Sequence, residues 1–216
     1  VSHDLKTPIT TISGFADGIL DGTIPPEKER EYLTTISSEA KRMNRMVQNM
    51  LALSRMEAVD PAEILRGSFD ICEVMRLCLI GLEHRIDEKK LDVDLKLPEE
   101  EMIVRGDADA ITRVVTNLLD NAVKFAEVGS ALGLEIWKQG GKAYISIQDR
   151  GEPIPAQELP RIFERFHKGD SSRNLDKSGS GLGLFIVKSI LDSHREDIYV
   201  SSEEGVTRFV FTLSLR

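Results

Sequence analysis

The run Ile111-Thr112-Arg113-Val114-Val115-Thr116-Asn117-Leu118-Leu119-Asp120-Asn121-Ala122-Val123-Lys124-Phe125 carries two patterns at once. Ile111, Val114, Val115, Leu118, Leu119 and Ala122 recur at the spacing of one helix face, while Arg113, Asn117, Asn121 and Lys124 line another. A helix is expected from about Asp109 to Ala126. Its polar stripe is unusual, because asparagine is a poor helix former whose amide competes for the backbone, and a merely solvated face favours Glu and Lys. Amide carbonyls are hard oxygen ligands that can hold Mg²⁺ beside substrate phosphates, and Lys124 adds positive charge one turn on. Asn117 and Asn121 are therefore candidate metal ligands, with a solvated face as the plain alternative.

Outward from this helix the period changes. Upstream, Ile71, Met75, Cys78 and Leu82 form a helical stripe, followed by alternating segments at Leu91 to Leu97 and Met102 to Arg105. Downstream, two strands flank the Gly140-Gly141 turn; a polar loop, a helix from Leu182 and strands near Ile198 and Phe209 follow. Helices and hairpins thus share one pair of layers. The expected fold of residues 68–216 is an α+β sandwich, a mostly antiparallel mixed sheet covered on one face by helices.

The N-terminal part differs in style. Leu5, Ile9, Ile12, Ala16 and Ile19 alternate gaps of four and three, and after a break at Asp21 to Pro26 the alternation returns at Leu33, Ile36, Ala40, Met43, Val47 and Met50. An antiparallel helical hairpin is expected over residues 1–57, its second helix ending near Met56. Each helix has a narrow apolar seam that one partner cannot cover, so a four-helix bundle from two chains is the expected completion. Residues 58–67, with Pro61 and no periodicity, read as a linker.

Composition bounds the function. The 216 residues are 41% apolar and 30% charged, enough to close a core and too apolar for disorder. A net charge of −8 argues against nucleic acid held by bulk charge. The longest apolar stretch, Leu77 to Leu82 around one glycine, is far short of the ~18 residues that span a bilayer. Cys72 and Cys78 have neither a metal spacing nor a disulfide framework and read as small core residues in a reducing compartment. The opening Val1, with no charged leader before an apolar run, reads as a piece of a longer protein.

Three further features carry chemistry. The strand from Ala143 to Gln148 puts Ile145, Ile147 and Asp149 on one pleat face, so a carboxylate ends an apolar row just before Gly151. An ionised carboxylate only accepts hydrogen bonds and there can read an exocyclic amine such as that of adenine; a strand-ending turn aspartate is the alternative. Between Phe166 and Leu182 runs a long polar loop with Lys168, Arg173 and Lys177, of the length that lids have. It ends in Gly179-Ser180-Gly181-Leu182-Gly183-Leu184, which enters a helix and can turn backbone amides toward phosphates. On the first helix, His3, Lys6, Thr7 and Thr10 share a face away from the apolar seam. Pro8 inside that helix removes a bond to the Asp4 carbonyl, costing ~3 kcal/mol unless the helix bends.

Val1-Ser2-His3-Asp4-Leu5-Lys6-Thr7-Pro8 resembles the phosphoacceptor box of bacterial sensor histidine kinases, Ser-His-Glu/Asp-Leu-Arg/Lys-Thr-Pro. The resemblance implies that His3 accepts the γ-phosphoryl group of ATP, that Asp4 orients the imidazole and takes its proton, and that Thr7 positions water for dephosphorylation of the partner. An imidazole of ordinary pKa, ~6.5, is roughly three quarters neutral and nucleophilic at pH 7. Asn117 to Phe125 is similar to the same family's asparagine box, which implies that Asn121, with Asn117, holds Mg²⁺ and that Lys124 meets phosphate. Asp149-Arg150-Gly151 resembles the Asp-x-Gly-x-Gly box, with Pro153 in place of the last glycine and Ile154 as the floor of the adenine slot. Arg161 to Phe166 resembles the phenylalanine box, for which core packing is the alternative, and Gly179 to Gly183 the second glycine box.

The resemblance implies the cytoplasmic catalytic core of a membrane-anchored sensor: a homodimer through the hairpin, an ATP-binding domain of the gyrase and Hsp90 type, and a response-regulator receiver domain as partner. Asn117, Asn121, Lys124, Phe125, Asp149, Gly151, Ile154, Lys168, Lys177, Gly179, Gly181, Leu182 and Gly183 are the implied nucleotide-site residues. Ser193-His194-Arg195-Glu196 stands where the family often has His-Gly-Gly, so a different turn is expected there. No chemistry is assigned to His84, His167 or His194. The rival readings are a non-kinase ATPase of the same fold and a signalling scaffold that binds nucleotide weakly.

Overall fold

The computed structural model describes residues 2–58, 67–167 and 181–216, with backbone position alone at 2–5, 42, 45 and 48–58. Two helices, α1 (Ser2–Leu20) and α2 (Pro26–Ala58), pack as a hairpin. The turn is set by Asp21, whose carboxylate accepts the Thr23 N–H at 2.9 Å, and just above it the rings of Phe15 and Tyr32 meet edge-on at 4.8 Å. α1 continues through Pro8, which is buried. One hairpin does not cover its own seam: Ile9, Leu33 and Val47 stay 47%, 52% and 42% exposed.

The second unit is built from β1 (Ser68–Asp70), α3 (Ile71–Ile80), α4 (Glu83–Glu88), β2 (Asp92–Lys96), β3 (Ile103–Arg105), α5 (Ala108–Phe125), β4 (Ala131–Gln139), β5 (Lys142–Arg150), α6 (Gly183–Ser193), β6 (Ile198–Glu203) and β7 (Val206–Ser214). Five strands form a mixed sheet in the order β2-β4-β5-β7-β6, antiparallel except for the β2-β4 pair, and β1 with β3 makes a separate antiparallel ribbon. The expected α+β sandwich is the fold that forms. α5 is the central helix, in contact with α3, α6 and β5, and it buries Ile111, Val114, Val115, Leu118, Leu119, Ala122 and Val123. Each of the Ile, Val and Leu side chains contributes about 1.5–3 kcal/mol of burial, so the apolar stripe read from the sequence fixes which way Asn117 and Asn121 point. Asp107 starts the helix by accepting the N–H groups of Asp109 and Ala110. α2 reaches across to α6, bringing the hairpin against the second unit.

Two features go beyond the sequence reading, for physical causes. α4 has a single buried residue, Ile86, which is too little periodicity to read. β2 pairs parallel to β4, and alternation marks a strand without giving its direction.

The turn after α6 is a correction. Without the family's glycines it was expected to differ, yet Arg195 itself adopts the left-handed conformation at φ 58°. Its neighbours hold it there. The buried His194 accepts the Asp107 N–H on Nε2 at 3.1 Å and donates from Nδ1 to the Ile190 carbonyl at 2.8 Å, while Glu196 is tied to β5 and β7. A side chain in this conformation costs about 1–2 kcal/mol, partly offset by the greater freedom a glycine would lose on folding. Arg195→Gly is therefore expected to raise stability by about 0.5–1 kcal/mol, read as a higher urea midpoint at unchanged slope.

Candidate nucleotide site

α5 places its polar residues along the open side of the second unit. Asn117 donates from Nδ2 to the Arg113 carbonyl at 2.8 Å, satisfying its amide nitrogen within the helix. Its Oδ1 then faces the start of α6, where a Cβ on Gly183 would come within 3.2 Å. Asn121 is half-buried and makes no hydrogen bond among the described residues, so both its amide groups are open to a ligand. The Lys124 ammonium lies 4.9 Å from the centre of the Phe125 ring.

Asp149 comes from β5. It pairs in register with Leu132 of β4 and Thr207 of β7, and only 5% of it is exposed. Burial pushes its carboxyl up to about 7 against a weaker opposing pull from the Lys89 ammonium. It accepts no hydrogen bond from the described residues. A buried acceptor left open in this way is the chemical complement of an amine donor.

The exit of β5 is fused to the end of α5. Ala126 bridges to Gly151, whose N–H donates to the Gly205 carbonyl at 2.9 Å, and a Cβ at 151 would lie 2.3 Å from the Phe125 carbonyl oxygen. Glycine is required by that approach. Ile154 donates its N–H to Ser202 Oγ at 2.8 Å and packs against the core. The exposed Pro153 sits between these two anchoring N–H groups, so its own missing N–H breaks neither bond.

On the far side, the Phe166 N–H donates to the Gly181 carbonyl at 3.0 Å, so residues 166 and 181 lie side by side. Gly181 has φ 67°, and a Cβ there would be 2.8 Å from the Phe166 carbonyl carbon. Leu182 is buried and Gly183 opens α6. Phe163 meets Phe209 edge-on at 6.5 Å, and Phe166 also packs on the core. Lys168, Lys177 and Gly179 lie outside the described residues. His3, Asp4 and Thr7 stand on α1, in the hairpin, with Thr7 exposed.

Of the expected residues, then, the fold gathers Asn117, Asn121, Lys124, Phe125, Asp149, Gly151, Ile154, Gly181, Leu182 and Gly183 in one unit and the phosphoacceptor trio in the other. One neighbour is absent from the sequence reading. Lys89 donates from Nζ to the carbonyls of Lys124 and Ala126 at 2.6 and 2.8 Å. In the charged run Asp87-Glu88-Lys89-Lys90 nothing distinguishes it from a solvated side chain.

Among the described residues no cluster of three acidic, histidine or cysteine side chains could hold a metal alone. The open carbonyls of Asn121 and Asn117 suit Mg²⁺ that takes its remaining ligands from phosphate and water. No helix among the described residues is long and apolar enough to cross a membrane.

Comparison with known proteins gives the family. Residues 106–216 match the family described as histidine kinase-, DNA gyrase B- and HSP90-like ATPase, and residues 1–59 match the His kinase A phosphoacceptor domain. The chain is 34% identical to the sensor histidine kinase YclK of Bacillus subtilis over its full length, and 32% identical to the sensor protein SrrB of Staphylococcus aureus over 99% of it. It spans 45% and 36% of those two proteins. The Acinetobacter baumannii histidine kinase AdeS superposes with a TM-score of 0.77 at 25% identity, over 99% of this chain and 98% of that one. With its ATPase domain, its phosphoacceptor domain and relatives of this kind along its whole length, the chain belongs to the sensor histidine kinases.

Proposed function

We propose that this chain phosphorylates itself on His3 from ATP and passes the phosphoryl group to an aspartate of a response-regulator receiver domain. The observation that carries the nucleotide half is Asp149, a buried carboxylate with no donor among the described residues, in the same unit as the open Asn121 amide and the open Asn117 carbonyl of the central helix. Asp149 accepts the adenine amine and Ile154 lies under the ring. Lys124 meets phosphate together with the helix start at Leu182 and Gly183, and with Lys168, Lys177, Gly179 and Gly181 of the loop before it. Mg²⁺ on Asn121 and Asn117 neutralises phosphate charge when bound.

The neutral imidazole nitrogen of His3 attacks the γ-phosphorus, the bond to the β–γ bridging oxygen breaks, and ADP leaves with that electron pair. The other ring nitrogen's proton passes to Asp4. In the second transfer a receiver aspartate oxygen displaces the imidazole, which regains a proton. Thr7, one turn beyond His3, orients the water that attacks the receiver's aspartyl phosphate, releasing inorganic phosphate and the free aspartate. The uncovered seam of Ile9, Leu33 and Val47 supports a homodimer through residues 1–57, joined by 58–67 to the ATP-binding domain at 68–216. We place this core on the cytoplasmic side of a membrane-anchored parent, with no nucleic-acid partner.

Incubation with γ-labelled ATP tests the reading. An acid-labile, base-stable label that falls to background in His3→Gln is expected. ADP release without label on the protein would replace the kinase with an ATPase, and neither signal would leave a signalling scaffold.

A further inference from the structure

Lys89 follows α4, yet its side chain belongs to the far end of α5. Its ammonium donates to the carbonyls of Lys124 and Ala126, two of the groups a helix end leaves unpaired and where its dipole is negative. Ala126 is also the residue that bridges to Gly151 at the exit of β5, two positions beyond Asp149. One cation thus sits where the asparagine helix, the strand carrying Asp149 and α4 converge.

We propose that Lys89 is a positioning residue for the nucleotide: its ammonium ties down the carbonyl end of α5, where that end bridges to the strand carrying Asp149, and so holds the acceptor for an exocyclic amine and the asparagine helix together. The proposal rests on the nucleotide reading above. The surroundings single Lys89 out. From α4, Arg85 is engaged by Asp120 of α5; from α5, Lys124 lies over Phe125; from β5, Arg150 is exposed; and β4 and β7 present Leu132 and Thr207 opposite Asp149. Among the described residues, Lys89 is the charge that acts on the Asp149 carboxyl, opposing the upward push of burial. Burial also lowers Lys89's own proton affinity, with Arg85 adding to that and Asp149 opposing it.

With Asp149 near half-ionised at pH 7, loss of an adjacent cation moves its titration up by about one unit and leaves roughly a tenth of it charged. Titration of the full chain with ATP·Mg²⁺ and with ITP·Mg²⁺, which lacks the exocyclic amine, between pH 6 and 9 is the test. Lys89→Met is expected to weaken ATP binding about tenfold at pH 6, about fivefold at pH 7 and scarcely at pH 9. Its preference for ATP over ITP should shrink at pH 7 and return at pH 9. Lys89→Arg should restore the wild-type profile, and in an Asp149→Asn background Lys89→Met should add no pH dependence. A loss of affinity equal at every pH, with ATP preference intact, would reduce Lys89 to a structural tie and overturn the proposal, as would wild-type binding in Lys89→Met. If Lys89→Met does not fold, Lys89→Gln, which keeps a donor for the two carbonyls and loses the charge, is read by the same criteria. Wild-type protein that binds no ATP at any pH would instead remove the nucleotide reading, and this proposal with it.

Discussion

Asp149→Asn is expected to make the second unit more stable at pH 8 while cutting its affinity for ATP by about 10–100-fold, the value of a hydrogen bond to a charged acceptor. The two effects have one cause. In an unfolded chain this carboxyl titrates near 3.8, and in the fold burial raises it to about 7. A raised acid destabilises the fold in its ionised form. Below pH 4 both states hold the proton and nothing is lost. Between 4 and 7 the unfolded chain ionises while the fold retains its proton, so stability falls as pH rises. Above 7 the penalty is complete, on the order of 4 kcal/mol. Asparagine has the same shape and no charge. It removes that penalty but leaves a buried amide without a partner among the described residues, at about 1–3 kcal/mol, for a net gain of about 2 kcal/mol at pH 8 that shrinks as pH falls, passes through zero near pH 5 and is a net loss at pH 4. Urea unfolding of both proteins across this range measures it, and a pH-independent difference would break the link. The fold thus carries a cost in stability at the residue proposed to read the nucleotide base.

How much of this was legible depends on whether the signal lies in one segment or between segments. The α5 stripe put seven apolar side chains inward in the fold, six of which were named from their spacing, and so fixed the asparagine face without any tertiary information. Asp149 was legible because alternation along β5 places it on the buried row behind Ile145 and Ile147. Lys89 was not, since its partners lie 35 and 37 residues away and lysine on a short charged turn looks solvated. The parallel β2-β4 pairing is likewise a relation between strands. The turn at Arg195 shows the converse limit. Local chemistry argued for a changed helix end, and long-range bonds from His194 and Glu196 overrode that preference by about as much as a left-handed residue costs.

Glu196 is where those long-range bonds concentrate, and Glu196→Ala is expected to cost about 3–5 kcal/mol, the range for breaking a buried ion pair by removing one partner. Its side chain is 3% exposed, against 33% for Lys142, and it accepts from Lys142 Nζ at 2.8 Å, Thr212 Oγ1 at 2.7 Å, and the N–H and Oγ of Ser214 at 2.7 and 2.5 Å. Truncation strands all four donors at the end of the sheet. Burial alone would raise this carboxyl, but the hydrogen bonds from Lys142, Ser214 and Thr212 outweigh it and hold the group below its ordinary 4.5. The sign is therefore opposite to that of Asp149: the contribution is complete above pH 4.5 and is lost as pH falls through the lower, folded value. Glu196→Gln keeps the shape and loses the charge, so it should cost about 1.5–3 kcal/mol at pH 7 and flatten the acid limb of the stability curve. The network joins the C-terminal end of α6 to β5 and β7, whereas the proposed nucleotide residues Leu182 and Gly183 sit at that helix's start. ATP affinity measured well below the unfolding midpoint should consequently survive Glu196→Gln, and a parallel loss of both would mean that α6 pivots as a unit on this anchor.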